Sequence, residues 1–381
     1  MTDAERLGAL QTPALVLDEA RMLRNVARLR ERLAPHGVVL RPHLKTVKSV
    51  EVARLVLAGG DGPATVSTLK EAEVFAAAGV RDILYAVGIA PGKLGRVLAL
   101  RASGCDLCVI LDSVEQAEAV GAASRAAGDA VPVMIEVDCD GHRGGLRPGD
   151  PALVALGRAV VAGGAVLRGV MTHAGESYGV AGEAAHAACA ERERAAVVLA
   201  AEALRAAGLA CPVVSVGSTP TAHAARDLSG VTEVRAGVHV FFDLVMAGIG
   251  VCSTDDIALS VLTAVIGHQR ARGWVLVDAG WMAMSRDRGT ASQAVDQGYG
   301  LVCDVEGRVL GDLVVAEANQ EHGIVALRAG SDGVLPELAV GTLLRVLPNH
   351  ACATAAQFSG YAVLRADAGA ALACWPRFGG W

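Results

Sequence analysis

The residues of this chain with chemistry to offer lie in a few short stretches. Val38-Val39-Leu40-Arg41-Pro42-His43-Leu44-Lys45-Thr46 opens with apolar β-formers and ends in polar groups. That is how a buried strand delivering a functional group at its tip reads. A lysine at the rim of a packed core loses solvation, which disfavours its charged form. A neutral amine is what attack on an aldehyde needs. Arg41, His43, Lys45 and Lys48 read equally well as a solvated basic patch. Val214-Ser215-Val216-Gly217-Ser218-Thr219-Pro220-Thr221 runs from a strand into a turn of small residues. Such turns offer backbone N–H groups and hydroxyls to a phosphate. In Glu233-Val234-Arg235-Ala236-Gly237-Val238 the glycine lets backbone approach the same anion. Either stretch alone is commonly a plain loop. Two of them after neighbouring strands make a phosphate cup.

Three more stretches carry candidates. In Thr172-His173-Ala174-Gly175 the histidine is placed to stack on a flat ring, or to be a hydrogen-bonded rim residue. In Asp140-Gly141-His142-Arg143-Gly144-Gly145 the arginine has the reach to meet a phenolate oxygen, or it lies in a surface loop. His350-Ala351-Cys352 follows an apolar strand and the turn Pro348-Asn349. On extended chain, residues two apart point the same way, so both side chains reach one metal ion. Sulfur with imidazole favours zinc over magnesium or calcium. Two protein ligands leave positions open for water and substrate, as catalysis requires.

These stretches need a scaffold to align them. Apolar strands recur near 38–41, 64–67, 83–87, 107–111, 131–137, 167–172, 213–216 and 233–242, separated by segments of helical periodicity such as Leu69–Ala78 and Ala184–Ala207. Eight alternating units predict an α/β fold, a closed (β/α)8 TIM barrel with a parallel sheet. Polar residues follow the strands: Lys45, Ser67-Thr68, Asp112-Ser113, Asp138 to Arg143, Thr172-His173, Gly217 to Thr219 and Asp243. The C-terminal rim carries the chemistry in such barrels. After about residue 255 the strand-like runs crowd together, with Gly and Asp turns between them. This predicts an additional C-terminal all-β domain. The expected division is a barrel over 18–255 and a β domain over 256–381, joined by 1–17.

Bulk composition narrows the function. The 381 residues are 52% hydrophobic, enough for two cores. A net charge of −6 and 3% aromatics argue against a nucleic-acid surface. No apolar run is long enough to span a bilayer and the N-terminus lacks a signal pattern, so a cytoplasmic protein is expected. Nine cysteines in a chain of this length are not a disulfide framework. Cys105, Cys108, Cys211 and Cys303 read as small core residues.

Taken together, Arg41-Pro42-His43-x-Lys45-Thr46, Thr172-His173-Ala174-Gly175, Gly217-Ser218-Thr219-Pro220-Thr221 and Pro348-Asn349-His350-x-Cys352-x-Thr354 resemble the D-serine dehydratase and D-threonine aldolase family. These are pyridoxal-phosphate enzymes of the alanine-racemase fold, and the resemblance covers nearly the whole chain. It implies that Lys45 carries the cofactor and acts in catalysis. It implies that Gly217, Ser218 and Thr219, with the backbone of Gly237 and Val238, hold the phosphate. His173 then lies against the ring, Arg143 near its phenolate oxygen, and Tyr178 lines the cofactor. Arg235 matches the arginine that faces the ring nitrogen in alanine racemases. His350 and Cys352 bind a divalent metal, zinc by this reading. Cys352, where aldolases of the family carry Asp, favours dehydration of a D-3-hydroxy amino acid, such as D-serine or D-3-hydroxyaspartate, to a 2-oxo acid and ammonia. His239 departs from the tyrosine usual in relatives. Arg286, Arg288 and His322 are candidates for a substrate side-chain carboxylate. The family also implies a homodimer. The nearest rival is an aldolase on the same scaffold; an alanine racemase or a non-enzymatic cofactor carrier is further away.

Overall fold

A computed structural model of the chain describes residues 2–365, 367 and 371–381. Two compact units emerge: Ala27–Gly237 with Gly380–Trp381, and Met1–Val26 with Val238–Gly379. The expected boundary at 255 falls inside the second unit. The chain from Val238 to Val240 is a 3-10 turn rather than a continued strand.

The first strand, β1 (Ala14–Asp18), belongs to the second unit. The first unit holds eight parallel strands: β2 (Val39–Pro42), β3 (Ala64–Val66), β4 (Asp82–Gly88), β5 (Asp106–Leu111), β6 (Pro132–Val137), β7 (Val166–Thr172), β8 (Val213–Val216) and β9 (Glu233–Ala236). Their order is β2-β9-β8-β7-β6-β5-β4-β3. The ring closes between the residues just after β2 and the middle of β3. A parallel bridge joins His43 to Thr65, and the Leu44 N–H donates to the Thr65 carbonyl at 2.8 Å. The closure therefore sits on the residues that lead into Lys45. Leu84, Cys108, Ile110, Met134 and Met171 form a buried layer across four adjacent strands. Arg41 is buried too, bidentate to Asp82 at 2.7 and 3.1 Å and bonded to Glu233 at 2.8 Å. Burial works against its charge, and the two carboxylates more than offset that.

Small polar residues after the strands start the next helices. Thr68 accepts from the Glu71 N–H, and Ser113 and Ser218 form capping boxes with Gln116 and Thr221. The helix Glu183–Ala206 turns a stripe inward that includes Cys189, Ala190, Ala196, Val197, Ala200 and Leu204, with Glu193 in the same stripe.

In the second unit the strands are β10 (Leu259–Gln269), β11 (Trp274–Val277), β12 (Gly300–Cys303), β13 (Val309–Ala318), β14 (Gly323–Leu327), β15 (Leu343–Pro348), β16 (Gly360–Leu364) and β17 (Ala373–Pro376). β10 pairs with β11, β15 and β1. Its eleven residues, bent by a bulge between Val265 and Gly267, let six strands close a ring. β1, β16 and β17 extend the sheet beyond it. Among the described residues no cysteine is in a disulfide, and Cys105, Cys108, Cys189, Cys211 and Cys303 are buried. No helix of the described residues is long and apolar enough to cross a membrane.

Candidate functional site

Lys45 lies in the turn that follows β2. The flanking cations of the basic stretch are spent: Arg41 is buried in its ion pairs, and Lys48 reaches Glu71 at 3.2 Å. Lys48 takes a left-handed conformation, φ 39°, which the buried Glu71 carboxylate helps to hold. Among the described residues, Lys45 Nζ has no hydrogen-bond or ion-pair partner. Its side chain is exposed. Protein atoms therefore do not provide the desolvation expected of a strand tip.

Three cations and two neutral histidines share this rim. The electrostatics of His43 are set first by burial, then by Lys45, Arg235 and His173, and its pKa is held well below the ordinary value. His173 is depressed to about 4, by burial and then by Arg235, Arg143 and Lys45, against the hydrogen bond to Gly217. Its Nδ1 lies 2.6 Å from the Gly217 carbonyl oxygen. A carbonyl only accepts, so Nδ1 carries the hydrogen and Nε2 keeps its lone pair. Arg235 is buried, donating from Nε to Ser215 Oγ at 2.8 Å and from a terminal nitrogen to the Thr172 carbonyl. Arg143 is exposed, 3.7 Å from Glu136, whose own carboxyl is pushed up by burial. Tyr178 stands half-open, its ring centroid 6.2 Å from that of His173.

The Gly217–Thr221 turn differs in detail from a turn that offers all its N–H groups. The Gly217 N–H is taken by Glu193 at 2.9 Å, and the Ser218 N–H by Thr221 Oγ1 at 3.2 Å. The Ser218 hydroxyl meets Thr221 and Ser177. A Cβ at Gly217 would lie 2.0 Å from the Arg235 carbonyl, so this glycine serves the contact between β8 and β9. A Cβ at Gly237 would lie 3.1 Å from Thr46 Oγ1 and 3.2 Å from the His43 carbonyl. Thr219 is the exception: its Oγ1 is buried with no hydrogen-bond partner among the described residues. A buried hydroxyl without a partner is costly. One accounting for it is an anion acceptor that the turn is built to receive.

In the other unit, Val238 opens the 3-10 turn and its carbonyl accepts from Phe241 and Phe242. His239 in that turn is fully buried. His350 and Cys352 are not on an extended segment, as the spacing implied. His350 is the residue before the short helix Ala351–Ala355, and Cys352 lies in its first turn. The two side chains still meet, by a hydrogen bond. Two acids position them, neither of which the spacing tied to this pair. Asp287 Oδ2 lies 2.9 Å from His350 Nδ1. Asp243, 1% exposed, accepts from the Met246 N–H and, at 2.9 Å, from the Ala351 N–H. Asp243 was expected at a barrel strand end; it caps the helix Leu244–Gly248 and clamps the His350 segment instead. Burial opposes a charge on His350, but Asp287 and Cys352 outweigh it and push its pKa up to about 11. With Nδ1 held by Asp287, Nε2 is the nitrogen left for a metal. Among the described residues no cluster of three or more His, Cys, Asp or Glu side chains is disposed to hold an ion. The pair is thus a two-residue donor set. Of the residues proposed for a substrate carboxylate, Arg288 is engaged by Asp296 and Tyr299, Arg286 is exposed over the Trp281 ring, and His322 is exposed.

A parallel eight-stranded barrel with an unpaired lysine on a cationic rim, plus an antiparallel β unit with a His–Cys pair, defines an enzyme of the alanine-racemase type. The model of the alanine racemase N-terminal domain matches residues 17–245, and a serine dehydratase domain model matches 258–364. D-threo-3-hydroxyaspartate dehydratase of Delftia sp. (strain HT23) is 58% identical over 99% of this chain and 100% of its own; its solved structure superposes with a TM-score of 0.95 over 99% and 100%. A cysteine-to-alanine mutant of a D-threo-3-hydroxyaspartate dehydratase, solved in the metal-free form, is 57% identical, with a TM-score of 0.95 over 99% and 100%. A 3-hydroxy-D-aspartate aldolase of Paracoccus denitrificans (strain Pd 1222) is more distant, 28% identical over 90% and 85%. The chain belongs to the D-serine dehydratase and D-threonine aldolase family. Within it, the chain is a dehydratase, and so a lyase.

Proposed function

We propose that the chain removes the β-hydroxyl of a D-3-hydroxy amino acid, D-threo-3-hydroxyaspartate and/or D-serine, releasing a 2-oxo acid and ammonia. The reading takes pyridoxal phosphate and a divalent metal, zinc by donor type, as cofactors. The observation that carries it is an unpaired Lys45 amine on a rim whose histidines are neutral and whose cations await an anion. Bound pyridoxal phosphate supplies an electron sink for charge developing at Cα. Thr219 Oγ1 would donate to its phosphate, beside the close-packed backbone at Gly237 and Val238. Lys45 would hold the cofactor covalently and, once released, accept the Cα proton as general base. His173 offers a neutral ring, Arg143 an exposed cation, Tyr178 a wall, and Arg235 a buried guanidinium. His350 Nε2 and Cys352 Sγ would hold the metal, which stabilises charge on the leaving oxygen as a Lewis acid. Asp287 orients His350 and raises its basicity as a ligand. The metal-free form of the similar dehydratase supports a metal in this family. A cytoplasmic homodimer completes the reading.

The test is a panel of D-serine, D-threonine and both D-3-hydroxyaspartate isomers, with 2-oxo acid, ammonia and glycine all measured. Equal release of 2-oxo acid and ammonia, greatest with a 3-hydroxyaspartate isomer, is expected. Glycine as the main product would replace dehydration with cleavage of Cα–Cβ.

A further inference from the structure

Behind the Gly217–Thr221 turn lies a row of buried oxygens. Glu193 Oε2 is 2.7 Å from Thr221 Oγ1. Thr221 Oγ1 is 2.9 Å from Ser218 Oγ, and Ser218 Oγ is 2.9 Å from Ser177 Oγ. Ser177 Oγ donates to the Ala174 carbonyl at 2.7 Å. All four side chains are 3% exposed or less. Every one of these separations is a hydrogen-bond distance for O–H···O.

Each link needs one hydrogen. Three hydroxyls supply three, and the links number four. The Ala174 carbonyl cannot donate, so the Ser177 hydrogen goes to it. Ser218 must then donate to Ser177, and Thr221 to Ser218. That leaves the link between Thr221 and Glu193 without a hydrogen, unless the carboxyl brings its own. With an ionised Glu193, one short contact in the row sets lone pairs against lone pairs in a buried site, which is unfavourable. With a protonated Glu193, every link is filled, and each hydroxyl donates once. The backbone bonds agree. Thr221 Oγ1 also accepts the Ser218 N–H, and Ser218 Oγ the Thr221 N–H. Glu193 Oε1 accepts the N–H groups of Ala174 at 3.0 Å and Gly217 at 2.9 Å. It serves as the carbonyl oxygen of an acid, and Oε2 as its hydroxyl.

We propose that Glu193 is a neutral carboxylic acid whose proton completes this four-link relay behind the turn. Its consequence, which rests on the phosphate-cup reading above, is that no negative charge opposes an anion bound at Thr219. Glu193 is thus a positioning residue: it ties the strand end at His173 to the turn at Gly217 without adding charge beneath the cup. Burial independently pushes the Glu193 carboxyl upward, against two backbone bonds, Thr221 and the Arg235 cation. The other titratable groups around the outer pocket beside Glu193 are Cys139, just after β6, with Asp140, Glu176, Cys189 and Arg192. Of these, Arg235 and Arg192 favour ionisation and the acids oppose it.

Infrared difference spectroscopy of the cofactor-free protein at neutral pH, wild type minus Glu193→Gln, reads the proton directly. The expected result is the carbonyl stretch of a protonated acid, shifted by deuterium exchange and absent from the variant. A carboxylate band in its place overturns the proposal. Binding reads the consequence. The Gln side chain reproduces the acid's directions, accepting at Oε1 and donating to Thr221. Glu193→Gln should therefore bind pyridoxal phosphate nearly as wild type does. Glu193→Ala should bind at least about fivefold more weakly, the change that corresponds to one lost buried hydrogen bond. Equal weakening in both variants overturns the positioning role. Should wild type itself bind neither pyridoxal phosphate nor inorganic phosphate, the cup reading falls, and the infrared band alone decides the proton.

Discussion

The barrel and the β unit each set a histidine beside a reactive side chain, and they tune the two in opposite directions. His173 is drawn down to about 4: it is part-buried, faces cations, and among the described residues its hydrogen-bond partner is a carbonyl. His350 is pushed up to about 11: it is half-buried, and its partners are a carboxylate and a thiol. The first ring is permanently neutral near pH 7, fit to lie against an aromatic cofactor or accept at Nε2. The second is held towards its charged form by the carboxylate and the thiol beside it. Loss of solvation lowers both; the partner decides the sign.

Disrupting the partner on the β side should give the largest effect. Asp287→Asn keeps the shape but loses the charge that orients His350. Metal affinity should fall about 10- to 100-fold, read by competition with a chromogenic chelator, with binding of pyridoxal phosphate unchanged. An unaltered metal affinity would leave Asp287 a structural role only. On the barrel side, Thr219→Val removes a buried hydroxyl that has no partner among the described residues. Affinity for pyridoxal phosphate should drop by about fivefold or more, while the cofactor-free protein loses no thermal stability. A variant destabilised without cofactor would show that Thr219 serves the fold.

The last effect is the pH slope of stability in the cofactor-free protein. His173 has a folded pKa near 4 against an ordinary 6.5. Between those values the unfolded chain binds a proton that the folded chain refuses. Stability therefore falls as pH drops from 6.5 towards 4 and is flat, for this group, above 6.5. The contribution is about 3 kcal/mol. His173→Asn should remove that part of the slope, measured by urea denaturation at several pH values. His43, depressed in the same direction, accounts for some of what remains.

Much of the barrel was legible because its strands are apolar, short and evenly spaced. The polar residues after them were legible for a second reason that the pattern hides. Thr68, Ser113 and Ser218 follow strands because the next helices need caps, so that register is only partly a record of chemistry. The eighth strand was read too long, since Val238–Val240 is apolar enough to continue it but turns. His350 and Cys352 meet at the start of a helix rather than along a strand. Spacing identified the pair and missed the geometry. Asp243 and Asp287 lie 107 and 63 residues from His350, too far for spacing to connect them to it. Glu193 did leave a signal: an acid in the inward stripe of a long helix, where an apolar residue is the rule.

The central claim is a division of labour, with the barrel lysine holding the cofactor and the His–Cys pair holding the metal. Chelation of the holoenzyme, followed on one sample by cofactor absorbance and by 2-oxo acid release from D-threo-3-hydroxyaspartate, tests it. The account predicts that release stops, absorbance stays and zinc restores turnover, while Lys45→Ala loses the absorbance of lysine-held cofactor from the outset. Full release from metal-free protein, or absorbance that persists in Lys45→Ala, would contradict it.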